Sequence, residues 1–296
     1  METFVIRLSI ASILFIVALG LAIVYGTMKV INLAHGEMVM IGAYVTVLAS
    51  KHLGLGIYSC LPLAFLVAAL FGLAIERLVV RPLYGRLLDT LLATWGIALI
   101  LQQLIRIHFG FGLFGIHIDG LGSDLQNVPV PPELQQTLHI LGTNIPVYRA
   151  FVFGVAVVLG LVSWWLIYKT RFGSQLRAVS AARDITAACG VNDKRINALA
   201  FAYGSGLAGV AGVLVSGFMT VSPDMGAPYV IDAFMVVVAG GVGHLLGTVL
   251  SAGILGEVQS FVATWSNDVY GRTVLFAFVI LILLFKPQGL FVSRNR

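Results

Sequence analysis

Long stretches without charged side chains recur along this chain, and they constrain its fold more than any motif does. The first runs from Leu8 to Tyr25 and is nearly free of polar residues. Overall the 296 residues are 59% hydrophobic and 10% charged, with a mean hydropathy of +0.98. A soluble globular domain carries about 25% charged residues. We therefore predict an all-α polytopic membrane protein that forms a single transmembrane domain over residues 1–296.

About nine hydrophobic elements follow one another, which predicts eight to ten transmembrane helices. The elements cover residues 8–25, 29–50, 57–80, 87–107, 148–168, 194–216, 229–243, 245–265 and 272–285. A helix needs about 20 residues to span a bilayer. Element 229–243 is shorter and ends in glycines, so it could be re-entrant. Residues 1–26 begin like a signal peptide but lack a small-residue cleavage site, so we expect a retained first span.

Basic residues cluster in residues 77–86, in residues 169–195 and at the C-terminus. Short loops rich in lysine and arginine stay on the cytoplasmic side of the membrane. Residues 109–146 contain neither lysine nor arginine, which predicts an extracytoplasmic excursion that could hold a small hairpin. This arrangement places the N-terminus outside.

Residues 169–195 form the most charged stretch, with six basic and two acidic side chains between two hydrophobic elements. Apolar residues recur there at helical spacing. Ser180 can serve as an N-cap and Gly190 as a C-cap. We expect a short amphipathic helix on the cytoplasmic surface that docks a soluble partner. The alternative is a solvated connecting loop.

Several polar side chains interrupt the apolar elements. Ionisable groups inside a membrane are costly and usually face a protein interior or a water-filled cavity. These residues could line a translocation pathway, or they could bond neighbouring helices and cap helix ends. The candidate pathway residues are Asn32, His35, Glu37, Thr94, Gln102 and Asp232.

Several kinds of chemistry have no motif here. The chain lacks GxxxxGK[ST], HExxH and GxSxG, which argues against nucleotide hydrolysis by a phosphate loop and against intramembrane proteolysis. Cys60 and Cys189 match no zinc spacing. We expect no catalytic residue, no metal site and no nucleic-acid partner, because the basic residues lie beside membrane spans. A stand-alone channel or a proton-coupled carrier that uses Glu37, Asp232 or Glu257 as a relay stays open.

Several stretches resemble the permease subunits of branched-chain amino acid type ABC importers. They are GLAIVYGTMKVINLAHGEMVMIGAYV (20–45), FGSQLRAVSAARDITAACGV (172–191), FAYGSGLAGVAGVL (201–214), FMVVVAGGVGHLLGT and the terminal KPQGLF. Within that group, residues 88–103 and 231–243 look more like the urea-type permease. The resemblance implies an importer permease in a bacterial inner membrane, for urea or short amides. The alternative is import of branched-chain amino acids by the same machinery.

The resemblance also implies partners: a second homologous but distinct permease, two ATP-binding subunits, a periplasmic substrate-binding protein and membrane lipid. No cofactor is expected in this chain, since ATP and Mg²⁺ would be bound by the ATP-binding subunits. The basic segment 169–195 would include the coupling helix. The residues implied to dock the ATPase are Arg177, Ala178, Arg183, Asp184, Ala187, Ala188 and Gly190.

Overall fold

The computed structural model describes residues 2–106, 124–140, 143–241, 243, 245–286 and 289–291. The helices are α1 Glu2–Met28, α2 His35–Leu53, α3 Ile57–Ile75, α4 Leu87–Arg106, α5 Pro132–Gln135, α6 Val147–Lys169, α7 Arg171–Ala181, α8 Arg183–Ala188, α9 Asp193–Ser216, α10 Gly226–Gly240, α11 Leu245–Trp265 and α12 Asp268–Phe285. A π-helical turn, Glu76–Val80, and a 3-10 turn, Arg81–Leu83, extend α3. The all-α fold class is confirmed.

Six of the described helices are long and apolar enough to cross a membrane: those containing α1, α3, α4, α6, α9 and α11. Helices α10 and α12 are apolar but shorter. The 15-residue α10 agrees with the expectation that element 229–243 cannot cross alone.

Helices α1 and α9 form the centre of the bundle, because most of their residues are buried. Small residues on α9 let other helix backbones approach closely. Gly204 lies against Gly20 of α1, and a Cβ at Gly204 would come within 2.6 Å of the Gly20 carbonyl oxygen. Gly212 packs in the same way against Val39 of α2. At the start of α9, Asn192 Oδ1 accepts from Arg195 N at 3.0 Å and caps the helix.

A small antiparallel hairpin lies within residues 109–146, as predicted, while the side of the membrane on which these residues lie stays a prediction. Strand β1, Thr137–Ile140, pairs with β2, Thr143–Pro146. The backbones of Gln126 and Val221 also pair, which ties the excursion to the connection between α9 and α10. The earlier part of the excursion, including residues 116–122, lies outside the described residues.

Two sequence predictions about helix limits were wrong. The second element was expected to be helical from residue 29, but α2 begins at His35 because Lys29 has a φ of +52° and the chain leaves the helix there. Residues 169–195 form two helices instead of one. Ser180 lies inside α7 and bonds the Arg177 carbonyl, while Thr170 caps α7 at Gly173 N. Gly190, at φ +85°, follows α8 as a C-terminal glycine should.

Candidate translocation site and coupling surface

Helix α2 begins deep inside the bundle. His35, at its first position, is fully buried, and its Nε2 lies 3.1 Å from the carbonyl oxygen of Val17. Val17 is close to the midpoint of α1, so residues 29–34 turn back from the end of α1 to that depth. The N-terminus of α10 meets α2 here, since Gly226 and Gly36 pack backbone to backbone. Helix N-termini carry partial positive charge and unpaired N–H groups.

Polar side chains join α4 to this helix start. Gln102 Nε2 donates to Glu37 Oε1 at 2.8 Å, and Leu33 N donates to Thr94 Oγ1 at 3.2 Å. Asn32 Oδ1 accepts from Ala34 N at 3.1 Å and so fixes the turn that precedes α2. Glu37 is 1% exposed. We call the residues Asn32, Glu37, Thr94 and Gln102 the α2–α4 seam.

The buried Glu37 carboxylate is only partly satisfied within the seam. Its Oε1 accepts from Gln102, but Oε2 has no hydrogen-bond partner among the described residues. A buried, unpaired carboxylate oxygen costs free energy that a bound solute or water can recover. The seam therefore offers one unoccupied acceptor close to two helix N-termini.

An ion pair that sequence reasoning missed lies at the C-terminal end of α4. Arg106, the last residue of α4, pairs with Asp224 in the connection between α9 and α10. A single arginine at the end of a hydrophobic element gives no indication of its partner, because Asp224 is remote in sequence. The pair links the excursion side of α4 to the start of α10.

The six candidate pathway residues do not form one site. Asn32, Glu37, Thr94 and Gln102 meet in the seam, whereas His35 faces α1. Asp232 is buried within α10, where its Oδ2 lies 3.7 Å from Arg272 Nε of α12. The sequence could not show which of the six residues lie together, because each of them lies among apolar neighbours in its own element.

The predicted coupling residues all lie on the exposed surface of α7, α8 and the turn after them. The exposed set is Arg177, Ala178, Arg183, Asp184, Ala187, Ala188 and Gly190. Two of its arginines hold the segment to the bundle. Arg177 donates to the Ile167 carbonyl at the end of α6, and Arg183 pairs with Asp193 at 2.6 Å. Sequence reasoning missed Ile185, a large apolar side chain that is 69% exposed on the same surface.

A polar cluster connects this surface to the membrane helices. The Glu76 side chain is fully buried; Arg81 bonds both of its oxygens, at 3.1 and 2.9 Å, and the Tyr84 hydroxyl donates to Oε1 at 2.5 Å. The Arg183 guanidinium lies 5.1 Å from the centre of the Tyr84 ring. Tyr84 OH also lies 3.4 Å from Met28 Sδ, where α1 ends.

The Tyr84 hydroxyl stays protonated in this cluster. Burial, and next the hydrogen bond to the Glu76 carboxylate, raise the pKa of Tyr84 above its usual range. Tyr84 therefore remains a hydrogen-bond donor at physiological pH. It joins the coupling surface, the end of α3 and the end of α1.

Comparison with known proteins gives one consistent result. A family model described as "Branched-chain amino acid transport system / permease component" matches residues 4–284. The permease protein BraD of the high-affinity branched-chain amino acid transport system of Pseudomonas aeruginosa is 30% identical, over 96% of this chain and 92% of its own length. The LivH permease protein of Escherichia coli is 28% identical, over 93% and 90%. The LivM permease protein of the same organism is 29% identical, over 95% and 68%. No solved structure matches significantly.

Proposed function

The chain belongs to the family of branched-chain amino acid transport system permease components, and on that premise we propose that it is the permease subunit of an ATP-driven, binding-protein-dependent importer of branched-chain amino acids. It is a multi-pass protein of the bacterial inner membrane. Relatives that are named as permease proteins agree with the expectation of a transporter subunit without enzymatic activity of its own.

The choice of substrate changes from the first expectation. Urea was preferred because of two short stretches, residues 88–103 and 231–243, but the relatives described above do not support it. The relatives are named as branched-chain amino acid permeases, which favours the alternative. Charged side chains within the helix bundle favour it too. A zwitterion needs opposite charges along its route, and Glu37, Asp232 and Arg272 supply them, whereas neutral urea needs none.

The observation that carries the proposal is that α2 begins at His35, in the middle of the bundle, after a non-helical segment. Transporters place substrate sites where discontinuous helices expose backbone groups near the membrane midplane. Here the N-termini of α2 and α10 meet at that depth, beside the Glu37–Gln102 hydrogen bond. We infer that the α2–α4 seam borders the translocation pathway. Asn32 and Thr94 hold the non-helical segment that leads into it.

The proposed partners are inferred from the relatives and from the two membrane faces of the protein. LivH and LivM carry distinct names and both resemble the chain, which supports a pairing with a second, homologous permease. Two ATP-binding subunits would dock on α7 and α8, where they would bind ATP and Mg²⁺. A periplasmic substrate-binding protein would deliver substrate to the opposite face. ATP binding would shift the permease pair between outward- and inward-open states through differential contacts at the coupling surface.

Uptake of labelled leucine and labelled urea, in cells with and without the gene, tests this function. We expect the deletion to abolish ATP-dependent leucine uptake and to leave urea uptake unchanged. Loss of urea uptake alone would refute the substrate assignment. Leucine uptake that persists after ATP depletion would indicate a stand-alone carrier instead.

A matched pair of variants tests the seam. Gln102→Ala removes the only hydrogen bond to the buried Glu37 carboxylate among the described residues, and we expect leucine uptake to fall about tenfold or more. Gln103→Ala removes the same amide from the exposed neighbouring position and should leave uptake near wild type. Equal effects of the two substitutions would contradict the role of the seam.

A further inference from the structure

A second polar site lies in the extracytoplasmic half of the bundle, apart from the α2–α4 seam. A cavity of about 220 Å³ opens between the beginnings of α1, α6, α10 and α12 and the ends of α9 and α11. Helix α6 begins just after the hairpin, on the side of the membrane that is predicted to be extracytoplasmic. Its wall carries three charged side chains: Arg149, Asp232 and Arg272.

Asp232 bonds Gln259 of α11, but one oxygen of Asp232 and the Nε of Arg272 still lack hydrogen-bond partners among the described residues. The Asp232 side chain is 6% exposed, and its Oδ1 has no hydrogen-bond partner among the described residues. Its Oδ2 lies 3.7 Å from Arg272 Nε, which is too long for a hydrogen bond, and that Nε also lacks a hydrogen-bond partner in the described structure. Buried polar atoms in native structures nearly always have partners, so these two point to a bound group.

The cavity also has an apolar wall. Leu14 of α1, Val215 of α9 and Phe218 just after α9 face the same space as the charged groups. Arg149 lies over the Phe218 ring at 5.1 Å and donates to Ser9 Oγ at 2.8 Å, so its positive charge is held at the edge of that wall. One carboxylate, two guanidinium groups and an aliphatic surface are what a small zwitterion with an aliphatic side chain requires.

We propose that this cavity binds an α-amino acid with an aliphatic side chain, with its ammonium on Asp232 Oδ1 and its carboxylate beside Arg272. Arg149 supplies the second positive charge, and the apolar wall receives the side chain. The proposal rests on the proposed function, since it identifies where such an importer first holds its substrate. The cavity opens at the beginnings of α1, α6 and α12, so we place it as a receiving site separate from the seam.

Equilibrium binding to the permease, purified with its co-expressed partner subunits and without binding protein or ATP, tests the site. The probes are labelled leucine, 4-methylpentanoate, which lacks the ammonium, and urea. We expect the wild-type complex to bind leucine and not urea. In Asp232→Asn, leucine affinity should fall roughly tenfold or more, because a charge-assisted hydrogen bond is lost. Affinity for 4-methylpentanoate should stay unchanged in that variant, since this ligand does not use Asp232.

Arg272→Gln should weaken the binding of both leucine and 4-methylpentanoate, because both ligands need the guanidinium. The Gln103→Ala variant, at an exposed position of α4, is the control and should bind leucine as the wild type does. Retained 4-methylpentanoate binding by Asp232→Asn also shows that this variant is folded. If Arg272→Gln binds neither ligand, its thermal unfolding shows whether it is folded. A native unfolding transition supports a site at which both ligands place their carboxylate. If that transition is absent, the variant is unfolded and Arg272→Lys becomes the deciding substitution.

Two outcomes overturn the proposal. If Asp232→Asn binds leucine like the wild type, the cavity is not the site. If the wild-type complex binds none of the probes, the Oδ1 of Asp232 is bonded only by water and the cavity is not an amino acid site. In either case, gene-dependent leucine uptake in cells would leave the importer assignment standing. Gene-dependent urea uptake without leucine uptake would instead refute the assignment of branched-chain amino acids as the substrate.

Discussion

The substitution Tyr84→Phe separates two contacts that one side chain makes. It removes the hydroxyl that donates to Glu76 at 2.5 Å and keeps the ring that lies 5.1 Å from the Arg183 guanidinium. The substitution should therefore affect stability more than coupling. Tyr84→Leu removes both contacts and serves as the comparison.

The loss of stability expected for Tyr84→Phe depends on which hydrogen bonds the Glu76 carboxylate keeps. A hydrogen bond to a charged group contributes about 1.5–3 kcal/mol. Arg81 still bonds both oxygens of Glu76 in the variant, so the carboxylate keeps partners and the loss should lie in the lower half of that range. At about 2–4 °C per kcal/mol for a chain of this size class, Tyr84→Phe should lower the Tm by about 3–9 °C.

Two assays on the purified transporter complex measure the two contacts. Thermal unfolding reports the hydroxyl, and leucine transported per ATP hydrolysed reports the ring. We expect Tyr84→Phe to lower the Tm and keep the transport ratio. Tyr84→Leu should lower both, because the Arg183 contact on the coupling surface is lost. A Tm for Tyr84→Phe within about 1 °C of wild type, or an unchanged transport ratio in Tyr84→Leu, would refute this reasoning.

Three further predictions concern packing, docking and the exposed ion pair. Gly42→Ala places a Cβ against an α9 carbonyl and should cost about 1–3 kcal/mol in thermal unfolding, whereas Gly96→Ala meets no atom within 4 Å and should cost nothing. Ile185→Asp puts a charge on the exposed apolar part of α8, and we expect it to reduce co-purification of the ATP-binding subunits without changing the Tm. Asp224→Asn breaks the exposed pair with Arg106 and should change the unfolding free energy by less than about 1 kcal/mol; a larger loss would show that the pair is structural.

Much of the fold could be predicted from the sequence because its signals are local. Charge-free stretches indicated the membrane helices, and Gly190 marked the end of α8 correctly. The exposure of residues 169–195 was also predictable, since their basic side chains interrupt long apolar elements, and their coupling role stays a prediction. The break before His35 was not predictable, because residues 30–34 are mainly apolar and contain neither glycine nor proline.

The grouping of the polar residues depended on tertiary structure. Gln102 meets Glu37 because α4 packs beside α2, and Arg272 approaches Asp232 because α12 lies near α10, although each pair is distant in the chain. Hydrophobicity and capping act over a few residues, so the sequence by itself determined that this chain spans a membrane and where most helices begin and end. Which buried charges meet depends on how helices pack across the bundle, and only the tertiary structure decided that.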